Sequence, residues 1–212
     1  MQRIRIAVID YGFGNIKSVI NALYYCGVEA CVIDSPLKIS GFGGVILPGV
    51  GAFGPAADFL RTKDFDKAIR DYVDSGKMLY GICLGFQLLF TRGYESGNHE
   101  GLDLISGEVK KFEFKDELLK IPHMGWNDVN VEDSLYTKKM FLSINDRESF
   151  YFVHSYYVIP ENLLCISSTC EYGLKFCSSV AYKNLWGSQF HPEKSGKAGL
   201  KILSNFVKEV GR

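Results

Sequence analysis

Between residues 78 and 90 an apolar run is interrupted by Gly81-Ile82-Cys83-Leu84-Gly85 and resumes as a short amphipathic stretch. That pattern reads as a strand, a sharp turn and a helix, with cysteine at the turn. Small residues two positions either side let a strained turn lift a nucleophile clear of a sheet. A thiol at the start of a helix also meets the positive end of the helix dipole, which favours thiolate. The competing reading is a buried core cysteine at a strand end. The balance is shifted far downstream by Trp186-Gly-Ser-Gln-Phe-His191-Pro192-Glu193, where a histidine and a glutamate stand two positions apart after a strand-like stretch. A cysteine nucleophile needs an imidazole to take and return a proton, and a carboxylate to orient that imidazole.

A strand feeding such a turn belongs in a parallel sheet, and the first half of the chain supplies the rest of one. Strand-like runs at 4–10, 29–34, 44–47 and 78–83 alternate with helical stretches at 15–26 and 65–75. The second half carries strand-like runs at 105–112, 126–131, 150–158, 164–169 and 178–182, several separated by short turns, which predicts antiparallel additions. The segment 197–210 places Leu200, Leu203, Phe206, Val207 and Val210 on one helical face. The expected fold is therefore α/β and three-layered, a mostly parallel central sheet with antiparallel additions. The 212 residues, 47% of them hydrophobic, suit a single domain.

A formal net charge of zero favours neither nucleic acid nor an anionic membrane as a general partner. The apolar stretch within residues 1–10 is too short for a signal peptide, so the expected location is the cytoplasm. Cys26, Cys31, Cys83, Cys165, Cys170 and Cys177 contain no CxxC pair, and reduced thiols are the default for a domain this large. The spacing of Cys165, Cys170 and Cys177 matches no zinc pattern, and no metal site is expected.

Chemistry in such a sheet collects at the carboxyl ends of the strands. Two loops besides the elbow qualify. In Asp10-Tyr-Gly12-Phe-Gly14-Asn15, the Gly-x-Gly pair precedes a helix as in a dinucleotide fingerprint, but Lys17 stands where the third glycine belongs. A glycine-permitted strand-to-helix turn is the better reading, and no cofactor is expected. The second loop, Pro48-Gly49-Val50-Gly51, offers backbone N–H groups of the kind an oxyanion hole requires.

These residues resemble the class I glutamine amidotransferases, whose signature is a G-x-C-x-G elbow followed by a distant H-P-E. The resemblance runs through Pro48-Gly-Val-Gly51, the elbow and its helix to Phe90, Pro122-His-Met-Gly-Trp-Asn127, Tyr151-Phe-Val-His-Ser-Tyr156 and His191-Pro-Glu-Lys-Ser195. The last three segments favour the glutaminase subunits that dock on a (β/α)8 cyclase, and the implied sheet is flavodoxin-like. The resemblance implies that Cys83 attacks the side-chain amide of glutamine, that His191 protonates the departing ammonia, and that Glu193 orients His191. It places Gly49, Val50, Gly51 and Leu84 at the oxyanion hole, and Gln87, Glu95, Ser155 and Tyr156 around the bound glutamine. Trp126, Tyr151 and Lys194 match a gate at the interface with the cyclase, down whose barrel ammonia would pass.

Read without the family, Gln87 is helix packing, Glu95 a solvated loop charge, Ser155-Tyr156 ordinary strand alternation, and the aromatic pair buried strand residues. Phe86 replaces a commoner methionine and Asp103 a commoner glycine. These departures leave the partner open between a histidine-pathway cyclase and a paralogue that aminates a surface sugar. Two other readings compete: a stand-alone γ-glutamyl cysteine hydrolase, and a catalytically dead binding subunit, against which all three triad residues stand.

Overall fold

A computed structural model describes residues 4–114 and 118–212; the first three residues of the N-terminal segment discussed above lie outside them. In chain order the elements are β1 (Arg5–Ile9), α1 (Ile16–Tyr25), β2 (Glu29–Ile33), β3 (Gly44–Gly49), α2 (Phe53–Thr62), α3 (Phe65–Asp74) and β4 (Met78–Cys83). They continue with α4 (Leu84–Gln87), β5 (Phe90–Gly93), β6 (His99–Glu100), β7 (Ile105–Lys111), β8 (His123–Val131), α5 (Leu135–Met140) and β9 (Ser149–His154). The chain closes with β10 (Tyr156–Pro160), β11 (Ile166–Glu171), β12 (Lys175–Tyr182), β13 (Leu185–Ser188) and α6 (Gly196–Val210).

The strands form one thirteen-stranded sheet whose main path runs β2-β1-β3-β4-β13-β12-β10-β7-β5-β6. Its first five strands are parallel in the flavodoxin-like order, with the reversal of strand order falling between β1 and β3. From β12 onward the additions are chiefly antiparallel, and β11, β8 and β9 branch from β12 as a further antiparallel ribbon. Alternation along β1 explains the three layers. Ala7 and Ile9 enter a core shared with Ala56, Leu60 and Ile69 from α2 and α3, whereas Ile6 and Val8 enter a second core with Val19, Leu23, Ile202 and Phe206 from α1 and α6.

The differences from the sequence reading have local causes. Helix α2 went unread because Gly54 and Pro55 sit in its first turn, where both are tolerated. The run 150–158 is two strands broken at Ser155, and 164–169 begins as a 3-10 turn over Leu163–Cys165 before β11. The run expected at 126–131 starts earlier, since β8 begins at His123. In α6 the buried stripe includes Ile202 and Asn205, while Leu200 and Val210 are only partly covered. Asn205 is admitted because its amide donates to the carbonyls of Met140 and Leu142 at 2.9 and 3.0 Å.

Candidate active site

Cys83 ends β4 with φ 54° and ψ −107°, backbone angles that a side-chain-bearing residue adopts only under strain. The flanking glycines make the turn possible. A Cβ on Gly81 would stand 2.7 Å from the Gly85 carbonyl oxygen and 2.8 Å from the Phe86 Cα, and one on Gly85 would overlap the Leu47 carbonyl. The spacing therefore follows from how closely α4 must pass over β3 and β4. Cys83 is 6% exposed, which leaves its sulfur at the floor of a cleft of about 380 Å³.

β3 and β13 flank β4 on either side. On one side, Gly49 pairs in register with Cys83, so the Pro48-Gly49-Val50-Gly51 loop leaves the sheet beside the thiol. A Cβ on Gly49 would strike the buried Tyr11 hydroxyl, which fixes glycine there. Gly51 takes φ 103°, a conformation open to glycine and costly for other residues. The Val50 N–H does not point into an empty oxyanion site: it donates to the Phe13 carbonyl at 2.6 Å. The expectation that Val50 supplies an oxyanion donor is thus not met in this conformation. Leu84 opens α4, where backbone N–H groups have no partner within the helix.

On the other side, β13 carries the chain to His191. The His191 ring donates from Nδ1 to Glu193 Oε1 at 2.8 Å, and both side chains are 2% exposed. Its Nε2 is buried without a well-formed hydrogen bond, as in many substrate-free sites. Burial alone would lower the pKa of His191. The facing Cys83 thiolate, and then Glu193, outweigh it and raise the imidazole to about 10. At neutral pH the imidazole is therefore held protonated, bonded to Glu193 on one side and facing the Cys83 sulfur on the other. The His191 loop is hung on β9: its N–H donates to the Tyr151 carbonyl at 2.9 Å, and Ser195 Oγ donates to the His191 carbonyl at 2.6 Å while accepting the Tyr151 N–H at 3.0 Å.

The remaining expected pocket residues do converge on the cleft. Gln87, Glu95, Ser155 and Tyr156 line it with Val50, Gly51, Cys83 and Leu84. Gln87 is buried and more constrained than expected, its Nε2 donating to the Tyr156 carbonyl and to Gln189 Oε1, both at 3.0 Å. Glu95 is not simply a solvated charge, since Oε2 accepts the Phe53 N–H at 2.7 Å at the start of α2. Ser155 is the break between β9 and β10, which is why it and Tyr156 depart from strand alternation.

Trp126, Tyr151 and Lys194 also come together, but on the outer side of β9. Trp126 and Tyr151 are cross-strand partners with ring centroids 6.3 Å apart, and Lys194 Nζ lies 5.8 Å from the Tyr151 ring centre. Trp126 is 59% exposed and Met124 beside it 62%, so the aromatic pair is a surface rather than core strand packing. Gln189, Tyr11 and Ser195 were not singled out from the sequence. All three lie inside the segments 10–15 and 186–195, yet nothing in their spacing separates them from packing residues.

Cys26, Cys31, Cys165, Cys170 and Cys177 are free thiols like Cys83. Gly12 takes φ 82° in a turn closed by its N–H on Asp10 Oδ1 at 3.1 Å, as a strand-to-helix turn requires. Among the described residues no helix is long and apolar enough to cross a membrane, and no cluster of three metal-ligating side chains occurs.

Residues 7–210 match the family described as "Glutamine amidotransferase class-I". The chain is 45% identical over 202 residues to the imidazole glycerol phosphate synthase subunit HisH of Rhodopirellula baltica, covering 95% of this chain and 96% of that one. It is 47% identical over 201 residues to the HisH subunit of Moorella thermoacetica, covering 95% and 93%. A chain of the solved structure of PurLQS from Thermotoga maritima superposes with a TM-score of 0.78 over 98% of this chain and 99% of that one, at 20% identity, a likeness of fold alone.

Proposed function

The chain belongs to the class I glutamine amidotransferases, and from that premise we propose that it is the glutaminase subunit of imidazole glycerol phosphate synthase. Cys83 Sγ attacks the side-chain carbonyl carbon of glutamine, and the oxygen that becomes negative is met by backbone N–H groups of the elbow and the Gly49–Gly51 segment. His191, held protonated between Cys83 and Glu193, gives its proton to the leaving nitrogen, and ammonia departs from a glutamyl thioester. The neutral imidazole then takes a proton from water as that water attacks the thioester, releasing glutamate and restoring the thiolate.

The observation that carries this reading is the His191–Glu193 pair facing a thiol on a strained elbow, inside a cleft lined by Gln87, Glu95, Ser155 and Tyr156. The partner is a (β/α)8 cyclase subunit. Its docking surface is the Met124, Trp126, Tyr151 and Lys194 face, and β9, which carries Tyr151, also passes Cys83, whose Sγ lies 4.0 Å from the Val153 carbonyl. Ammonia leaves toward that side. The bond from Val50 N–H to Phe13 supports a glutaminase that is nearly silent until its partner is loaded.

The test is glutamate release by the purified chain, alone and with the histidine-pathway cyclase and its ribonucleotide substrate. Strong stimulation is expected. Equal rates with and without the loaded cyclase would overturn the assignment of partner, and full turnover by the isolated chain would favour a stand-alone hydrolase.

A further inference from the structure

Gln189 is completely buried, one residue beyond Ser188, which pairs with Ile82; it therefore flanks Cys83 on the side opposite Gly49. Its Nε2 lies 3.7 Å from Cys83 Sγ, within hydrogen-bonding range for sulfur. A buried amide beside a nucleophile could be packing. Here its orientation is forced by a chain of contacts that ends on a group with only one possible role.

That group is the Tyr156 carbonyl, which can only accept. It receives Gln87 Nε2 at 3.0 Å, which fixes the Gln87 amide with its nitrogen toward β10. The second hydrogen of the same nitrogen is directed to Gln189 Oε1, also at 3.0 Å. With its oxygen occupied as an acceptor, Gln189 presents its NH2 to the sulfur. The backbone N–H of Gln189 donates to the Ser178 carbonyl at 2.8 Å, which holds the main chain in place. His154, whose imidazole burial keeps neutral, adds a second donor to the Tyr156 carbonyl at 2.8 Å. The amide therefore has no alternative orientation that keeps every partner.

We propose that Gln189 is an activating and positioning residue for Cys83, its side-chain N–H donating to the thiolate and holding the sulfur in line with the cleft. An N–H donor stabilises the anion and not the thiol, so it favours the reactive form before any substrate binds. The inference rests on the reading of Cys83 as the nucleophile. Other groups bearing on the sulfur are His191 from the loop after β13, with Glu193 behind it, Tyr11 from the loop after β1, His154 on β9 and Glu95 at the cleft. His191 Nε2 also faces the sulfur but makes no well-formed bond in this state, which leaves Gln189 Nε2 as the side-chain donor in hydrogen-bond geometry to it.

The test is the pH dependence of Cys83 alkylation by iodoacetamide in the free chain, followed on the Cys83 peptide by mass, with no glutamine present. Gln189→Met removes the donor at similar volume, and Gln189→Glu keeps the acceptor for Gln87 while placing an oxygen against the sulfur. In the methionine variant the midpoint is expected to rise by about one pH unit and the rate at pH values below both midpoints to fall about tenfold, with a larger shift in the glutamate variant. An unchanged midpoint in a folded variant would overturn the proposal.

Should either variant fail to fold, the unsubstituted protein still decides. With glutamine side chains labelled by nitrogen-15, the Gln189 amide protons are expected to titrate with the Cys83 midpoint and to lose that titration in Cys83→Ala. A Gln189 signal indifferent to both would sink the idea. Glutaminase activity surviving in Cys83→Ala would instead count against the nucleophile assignment, a separate outcome.

Discussion

The Val50 N–H is bonded to the Phe13 carbonyl at 2.6 Å, which ties the loop beside Cys83 to the loop after β1. One donor expected at the oxyanion hole is thereby withdrawn, although Gly49 and Gly51 flank the peptide that would have to turn. Under the proposed function, activation would exchange that bond for one to substrate. The Val50 amide is accordingly expected to exchange slowly with solvent deuterium in the free chain. It is expected to lose that protection when the ligand-loaded cyclase is added without glutamine. Unchanged protection would place the switch elsewhere.

The raised pKa of His191 leaves a mark on stability. His191 has its pKa raised in the folded state, so its contribution is complete below about 6.5, the ordinary histidine value, and is lost as pH rises toward about 10. The expected slope is at most about 1.4 kcal/mol per pH unit across that window. Cys83→Ala removes the principal attraction. Urea unfolding of both proteins at pH 7 and pH 9.5 should show a smaller loss of stability in the variant, and parallel losses would argue against a thiolate beside His191.

Gly85→Ala places a methyl group against the Leu47 carbonyl, a backbone atom that cannot step aside. A loss on the order of 3 kcal/mol or more is expected, read from the urea midpoint. Gly27→Ala is the comparison: its added Cβ meets nothing within 4 Å, and only the positive φ of 75° opposes it. Equal effects of the two substitutions would mean that the contact with Leu47 costs no more than a strained φ, and that the packing of α4 on β3 does not require glycine at 85.

Docking should be separable from folding at the exposed aromatic face. Trp126→Ala is expected to leave the urea midpoint within about 0.5 kcal/mol, because the side chain is 59% exposed, yet to weaken cyclase binding by at least tenfold in calorimetric titration. Lys194→Ala, which removes the cation from the Tyr151 ring, should weaken it less. Full affinity in both variants would move the interface off this surface.

Several of these relationships were legible in the sequence because each rests on a local pattern. The elbow is a run of five residues, the triad carboxylate stands two positions from its histidine, and the parallel strands announce themselves as apolar runs of the right length. The orientation of the Val50 peptide left no trace, since a glycine-flanked peptide can face either way. Nor did the partnership of Gln87, Gln189 and Tyr156, which joins α4, the loop after β13 and the start of β10. The division of 150–158 at Ser155 was hidden because the β-forming residues on either side of Ser155 read as one continuous strand. Exposure of Trp126 and Met124 was likewise hidden, because hydrophobic residues on a strand read as core until the sheet shows which face is uncovered.

Everything proposed for this site depends on Cys83 as the nucleophile, and six free cysteines make that a choice that can be put to the protein. The chain complexed with its cyclase should be treated with a glutamine analogue bearing a diazoketone in place of the amide, then digested and its cysteine peptides weighed. Modification at Cys83 alone, in proportion to the glutaminase activity lost and prevented by excess glutamine, is the predicted result. Activity lost with Cys83 unmodified, or label on another cysteine protected by glutamine, would contradict it.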